Sequence, residues 1–156
     1  MSAPLHNTIE INCSPEQVYA YVTQPWRWHE WHPSSRSARA SVDTLQVGDE
    51  FDEVVELQPL SPLPLTLRRE TRYTVLTANP FALWEVRGRM KDGWLQIRYD
   101  LAATTTGTRF SRTLTFGASG MSRLWMPLLG KRMAAISVIA LDNLKQRLEA
   151  TLGRQG

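Results

Sequence analysis

The sequence has few of the features that mark several common classes of protein. A single cysteine, Cys13, excludes an intrachain disulfide. We interpret it as a small residue at a strand end, since no histidine neighbours it on the same element to activate a thiol. No run approaches the roughly 20 apolar residues of a membrane-spanning helix. The first residues, MSAPLHNTIEIN, also lack a basic start followed by an apolar run, so we expect a cytoplasmic protein.

Charge of one sign is not concentrated anywhere, although the chain carries a formal net charge of +3. Arg68, Glu70 and Arg72 alternate in sign, which is typical of the solvated outer face of a sheet. Nucleic acid is therefore disfavoured as a partner, because binding it needs clustered cations. Hydrophobic residues make up 42% of the chain, which excludes disorder. The length predicts one domain over residues 1–156 and leaves the oligomeric state open.

Start and stop signals are clear at the beginning of the chain. Alternating apolar and polar residues predict a short strand over residues 6–12. Ser14, Pro15 and Gln17 then form a helix start, with serine as the N-cap, proline in the first helical position and glutamine able to reach back to the cap. The apolar spacing that follows predicts an amphipathic helix ending near Thr23.

The stretch PWRWHEWHP, residues 25–33, is confined by its prolines to one or two further turns. We interpret Trp28 and Trp31 as packing in the core or at the mouth of a pocket, with membrane-surface contact and base stacking as alternatives. His29 and His32 are three residues apart, but the spacing is not that of a zinc enzyme, so no metal is expected. His32 either points into a cavity or is an exposed or capping residue.

The middle of the chain alternates with a period of two, and its end is helical. Short connections between the strands predict an antiparallel meander. After Gly120, apolar residues recur every three or four positions and predict a long C-terminal helix. Pro127 predicts either a kink or a short lead-in turn before the main helix. The predicted strands cover residues 35–43, 50–58, 65–77, 81–90, 94–104 and 108–117.

This order of elements resembles the START-like superfamily (SRPBCC, helix-grip), and most closely its polyketide cyclase/dehydrase and lipid-transport branch. The resemblance rests on the strand leading into Ser14-Pro15-Glu16-Gln17-Val18, on Tyr19, on the turn ending in Trp31-His32-Pro33, and on LLGKRMAAISVIALDNLKQRLEA at the end. It implies an α+β helix-grip fold, in which a curved antiparallel sheet of about seven strands wraps around the C-terminal helix and two short helices follow strand 1. It also implies a cavity for an apolar or amphipathic molecule.

Strand alternation places a few charged side chains on the inner face of this sheet. Folding the chain about a loop centred near Ser61 sets Glu53 opposite Arg69. Arg112 falls among apolar neighbours, with Tyr99 opposite it. An inward arginine needs a carboxylate, a hydrogen-bonding partner, water or a bound anion. Arg112 therefore either recognises an acidic or carbonyl oxygen of a ligand or reaches solvent along its alkyl stem.

Two functions of different classes follow from this interpretation. The first is binding, and possible transport, of a hydrophobic small molecule between the sheet and the C-terminal helix. The second is a cyclase or dehydratase acting on a polyketide-like substrate, in which Glu53 or His32 moves a proton while Arg112 and Tyr99 stabilise an enolate oxygen. Binding is favoured because the inner face offers one carboxylate, which the predicted register pairs with Arg69. A third reading is a domain that contacts a partner protein or a membrane surface through Trp26 and the outer arginines.

None of these functions implies a cofactor. The candidate ligand-binding residues are Trp31, His32, Phe51, Glu53, Val55, Leu67, Arg69, Trp84, Val86, Ile97, Tyr99, Phe110, Arg112, Trp125, Leu129 and Met133.

Overall fold

The computed structural model describes residues 4–58, 63 and 65–152 and has the predicted α+β helix-grip architecture. Within these residues, two α-helices and two 3₁₀ helices accompany one seven-stranded sheet. The strands are β1 (Leu5–Ile11), β2 (Ser35–Ala40), β3 (Glu50–Leu57), β4 (Leu67–Asn79), β5 (Leu83–Met90), β6 (Gly93–Ala103) and β7 (Thr108–Ala118). The helices are α1 (Pro15–Val22), a first 3₁₀ helix (Pro25–Glu30), a second 3₁₀ helix (Gly120–Trp125) and α2 (Met126–Leu152).

The sheet is antiparallel throughout, with the strand order β1-β7-β6-β5-β4-β3-β2. Strands β2 to β7 therefore form the predicted meander, and β1 closes it by pairing with β7. The strand predicted over 81–90 begins two residues later than expected, because Phe81 has a positive φ of 68° and belongs to the preceding turn. The loop predicted near Ser61 falls outside the described residues.

Helix α1 starts as its sequence predicts. The Ser14 side chain accepts a hydrogen bond from the Gln17 backbone N–H, and the Gln17 side chain accepts one from the Ser14 N–H. Pro15 occupies the first turn, where it costs the helix no hydrogen bond. This capping box fixes the direction in which α1 leaves β1.

The tryptophan-rich stretch forms the first 3₁₀ helix and is part of the core, as the packing interpretation predicts. Trp28 and Trp31 are 3% and 1% exposed. The Trp28 indole N–H donates to the carbonyl of Val22 at 2.8 Å, and its ring meets Phe51 and Trp84 edge-on. Trp28 therefore ties the end of α1 to the inner face of the sheet.

Helix α2 lies over the inner face of the sheet and packs its C-terminal half against β1. The second 3₁₀ helix provides the predicted lead-in turn, so that Pro127 sits in the first turn of α2, where proline is tolerated. The stretch Arg123–Thr151 is long and apolar enough to cross a membrane by length and composition, with a mean hydropathy of 1.4. Uninterrupted apolar runs in the sequence do not predict such a helix. Leu144 and Leu148, in the C-terminal half of α2, are buried in the core.

Candidate functional site

An apolar cavity of about 360 Å³ lies between the inner face of the sheet and α2. Its deepest wall is made by side chains that are almost fully buried, whereas Met121 and Trp125 at its other end are 80% and 39% exposed. The cavity is therefore closed at one end and opens beside the second 3₁₀ helix. Apolar side chains that line it include Val55, Leu57, Leu67, Met90, Leu95, Ile97, Leu114, Phe116, Leu129, Met133 and Ile136.

Beyond the closed end, the same strands fill the core with aromatic rings. Phe51 stacks on Tyr73 with centroids 4.7 Å apart, and Trp84 stacks on Tyr99 at 5.5 Å. Phe110 packs against Tyr99 at 5.1 Å and is fully buried. Phe51, Trp84 and Phe110 do not line the cavity, whereas Tyr73, Tyr99 and Trp28 do, so the cavity ends against these last three rings.

Polar side chains form a layer between the aromatic core and the cavity, which we call the polar layer: His32, Glu53, Tyr73, Tyr99 and Arg112. Each strand member occupies an inward position of its strand, and the register pairs Tyr99 with Arg112 across β6 and β7 as predicted. The polar layer thus faces the closed end of an otherwise oily space.

Arg112 is the cation of the polar layer and is only 5% exposed. Its Nη1 donates to Ser137 Oγ on α2 at 3.2 Å, and its Nη2 lies 3.4 Å from His32 Nε2. Its Nε is buried without a hydrogen-bond partner. Within the described part of the chain, no carboxylate lies at ion-pair distance from the guanidinium. Arg112 therefore does not reach solvent, and it is a buried positive charge that its neighbours satisfy only in part.

The contacts of His32 disfavour a doubly protonated ring, because both ring nitrogens face donors. Nε2 lies 3.4 Å from Arg112 Nη2, which can only donate, and Nδ1 accepts from the Ser34 backbone N–H at 3.3 Å and lies 2.9 Å from Ser34 Oγ. Burial, reinforced by the charge of Arg112, lowers the pKa of His32 well below its ordinary value of 6.5. His32 is thus a neutral, partly buried member of the cavity wall rather than an exposed residue, and its ring also accepts the backbone N–H of Ser34.

Glu53 is the carboxyl group of the polar layer and is 4% exposed. The Tyr73 hydroxyl donates to Glu53 Oε1 at 2.9 Å. Burial raises the pKa of Glu53 to about 7, because the loss of hydration outweighs the opposing effects of that hydrogen bond and of the Arg112 charge. Near neutral pH the side chain is therefore divided between its protonated and ionised forms.

The two tyrosines of the polar layer keep their hydroxyl protons. Burial raises the pKa of Tyr73 and of Tyr99 above the ordinary value of 10. The Tyr73 ring lies against Gly88 of β5, where an added Cβ would come within 2.8 Å of Tyr73 Cε1. Because residue 88 is a glycine, the Tyr73 ring has room in this position, from which its hydroxyl donates to Glu53.

The predicted pairing of Glu53 with Arg69 is wrong. The register places Glu53 opposite Thr71 and Arg69 opposite Val55, so every partner lies two residues away from the one assumed. Arg69 instead makes a two-point ion pair with Asp92, with Nε and Nη2 each 2.9 Å from a carboxylate oxygen. This pair lies along the cavity wall and is partly exposed.

The structure divides the predicted site residues into two groups. Those that line the cavity are His32, Glu53, Val55, Leu67, Arg69, Ile97, Tyr99, Arg112, Trp125, Leu129 and Met133. The others, Trp31, Phe51, Trp84, Val86 and Phe110, are between 0% and 1% exposed, form part of the core and do not line the cavity. Alternation identifies the inner face of a strand but does not say how far along it the cavity begins.

Several cavity residues were not among the predicted site residues. On α2, Met126, Ile136 and Ser137 share the face of Leu129 and Met133, and their helical spacing is a signal that was available. Ser34 and Asp92 come from turns, where no periodic pattern points to an orientation. Alternation along β4 places Tyr73 on the inner face, but its contact with Glu53 depends on the register that the structure shows.

A curved antiparallel sheet closed over a long C-terminal helix, with an apolar cavity between them, defines the START-like, helix-grip class of proteins. Within that class the chain belongs to the family described as polyketide cyclase / dehydrase and lipid transport, which matches residues 3–149. Membership of this family supports a role for the protein in binding a hydrophobic ligand. No curated protein matches the chain in sequence.

Solved structures share the fold at low sequence identity. Protein CV1439 from Chromobacterium violaceum is 16% identical with a TM-score of 0.69, covering 95% of this chain and 99% of its own. TTHA0849 from Thermus thermophilus is 14% identical with a TM-score of 0.71, covering 96% of this chain and 99% of its own. A protein of unknown function from Staphylococcus aureus, SA2116, is 12% identical with a TM-score of 0.67, covering 97% and 96%. These similarities support the fold alone.

Proposed function

We propose that this protein binds a small hydrophobic molecule carrying an acidic or carbonyl oxygen, with the apolar part in the cavity and the oxygen at Arg112. The observation that carries the proposal is the state of Arg112, a buried cation with an unpartnered Nε and no carboxylate within reach among the described residues. Such a group is costly in a protein that never binds an anion, whereas a ligand oxygen offsets that cost.

The rest of the cavity suits the apolar part of such a ligand. A volume of about 360 Å³ lies within the range of small-molecule sites. Polar groups are concentrated at the closed end, so the ligand has a preferred orientation: its oxygen enters first and its apolar end remains near Trp125 and Leu129 at the opening.

Filling the cavity from α2 provides the first test. Met133 lines the cavity, whereas Ile139 lies on the same helix and is 47% exposed. Met133→Trp is expected to weaken binding of the fluorescent apolar anion anilinonaphthalene sulfonate about tenfold or more, because the indole occupies ligand space. Ile139→Trp is the matched control and should bind like the wild type. Equal affinities for both variants and the wild type, in a fluorescence titration, would place the ligand outside the cavity.

A second candidate function is catalysis of the cyclase or dehydratase type, and the raised pKa of Glu53 favours it. A carboxyl group with a pKa of about 7 can both accept and donate a proton near neutrality. In this reading Glu53 moves the proton, while Arg112 and Tyr99 stabilise the developing enolate oxygen. The expected result is turnover of a polyketide-like substrate that is lost in Glu53→Gln although substrate binding is retained. If the wild type binds the substrate but does not turn it over, ligand binding is the only one of the two functions that is supported.

A further inference from the structure

Apolar side chains are exposed next to the cavity opening. Met121, Leu124, Trp125 and Leu128, on the second 3₁₀ helix and the first turn of α2, are 80%, 76%, 39% and 41% exposed. We call these four residues the mouth ridge. Two of them, Met121 and Trp125, also line the cavity, so the ridge forms one edge of the opening. Neighbouring exposed apolar side chains of this kind mark an interaction surface rather than ordinary surface.

Exposed leucines also precede β4, at the same end of the sheet. Leu63 and Leu65 are 60% and 46% exposed, and they come directly before Leu67, which lines the cavity. The cavity opening therefore has apolar side chains on the strand side as well as on the helix side.

The segment of the chain that carries the mouth ridge has charged residues of one sign only. No aspartate or glutamate occurs between Asp100 and Asp142, and the charged residues in that interval are all arginine or lysine. Arg123, within the second 3₁₀ helix, and Lys131, on α2, are exposed and make no ion pair with a described residue. Asp92, the acidic residue at this end of the cavity, is bound to Arg69. An apolar ridge beside free cations complements a surface that is oily inside and negative outside.

We propose that the mouth ridge docks this protein onto an anionic lipid bilayer, with Leu124, Trp125 and Leu128 in the interfacial layer and Arg123 and Lys131 against the headgroups. Tryptophan favours the membrane interface, and cations near an apolar helical face add attraction to anionic lipid. A second copy of the chain is a poorer occupant, because an interface through the ridge would bring the cations Arg123 and Lys131 of one copy toward those of the other. Docking places the cavity opening against the bilayer, from which an apolar ligand can enter. The inference does not depend on ligand recognition by Arg112.

Vesicle co-sedimentation with the full chain tests the proposal. The wild type is expected to bind vesicles of phosphatidylcholine mixed with phosphatidylglycerol about tenfold more tightly than vesicles of phosphatidylcholine alone, and to lose that difference at ~0.5 M salt. Leu124→Ser combined with Leu128→Ser, neither of which lines the cavity, should reduce binding to the anionic vesicles about tenfold or more. Val47→Ser is the matched control, since Val47 is 63% exposed at the other end of the sheet, and it should bind like the wild type.

Several results would overturn the docking proposal. One is the absence of vesicle binding by the wild type, and another is equal binding by the double serine variant. Equal affinity for neutral and anionic vesicles would show that the cations play no part. If the wild type were a dimer in solution and did not bind vesicles, and the double serine variant were a monomer, the ridge would be the contact with a second copy.

Arg123→Gln combined with Lys131→Gln keeps the apolar ridge and should lose only the preference for anionic lipid.

Discussion

Replacing Arg112 with methionine is expected to weaken binding of decanoate on the order of 100-fold while changing the affinity for decanol by less than about threefold. The guanidinium is the only cation in the polar layer of described residues, and its Nε has no partner in the free protein. A carboxylate that enters the cavity therefore gains a charge-assisted hydrogen bond that methionine cannot make. Isothermal titration of both ligands against both proteins measures the difference directly.

A matched control for this experiment lies on the same strand. Arg109 points to the outer face of β7, where it pairs with Glu10 at 3.1 Å and is 56% exposed. Arg109→Met removes an arginine three residues away without touching the cavity, so both affinities should stay at their wild-type values. If Arg112→Met weakened decanoate and decanol equally, Arg112 would be shaping the cavity rather than recognising an oxygen.

Arg112→Met also distinguishes a role of Arg112 in ligand binding from a role in the stability of the fold. Methionine at position 112 removes a buried, incompletely satisfied charge at the cost of the hydrogen bonds to Ser137 and His32. The free energy of unfolding of the ligand-free variant is therefore expected to equal or exceed that of the wild type. A residue that weakens the free protein but is needed for binding has the character of a functional group.

Replacing Glu53 with glutamine is expected to remove a pH-dependent penalty of about 3 kcal/mol from the folded state at pH 8. The pKa of Glu53 is raised from 4.5 to about 7 in the folded protein, so the folded state binds a proton that the unfolded state has already lost. The stability that this proton contributes is complete below pH 4.5 and is lost as the pH rises through 7. Glutamine stays neutral at every pH and can still accept the hydrogen bond from Tyr73.

The measurement is the difference in free energy of unfolding between Glu53→Gln and the wild type, from denaturant titrations between pH 4.5 and pH 8. The difference should grow with pH in favour of the variant. Taking the difference cancels the opposite trend of His32, whose lowered pKa makes the folded state lose stability as the pH falls below 6.5. Glu70→Gln is the control, because Glu70 is exposed on the outer face of β4. A difference that does not vary with pH would mean that Glu53 titrates normally.

The fold could be predicted because its signals are local. Ser14 and Gln17 specify the start of α1 through contacts three residues apart, and strand alternation needs only neighbouring positions. Pro127 limited the start of α2 to two possibilities, of which the lead-in turn is correct. Arg112 and Tyr99 were paired correctly because the turn between β6 and β7 is short, with Ala103 already opposite Thr108, and a short turn leaves little freedom in register.

The candidate site could be predicted only in part, because its geometry depends on distances that alternation does not encode. The sequence of the long, proline-rich loop before β4 does not indicate which residues of β3 and β4 face each other. The register predicted from it put Arg69 opposite Glu53, where the structure has Thr71. Phe51 and Val55 occupy equivalent inward positions of β3, yet Phe51 belongs to the aromatic core and Val55 to the cavity. That difference follows from where Trp28 packs against the sheet, which is a tertiary contact.

The most direct measurement is a crystal structure of the complex with decanoate. We expect the carboxylate at the closed end of the cavity, within hydrogen-bond distance of the Arg112 guanidinium, with the alkyl chain running past Leu129 toward Trp125. A carboxylate at the opening with the chain pointing inward, or a cavity filled by protein side chains, would contradict it.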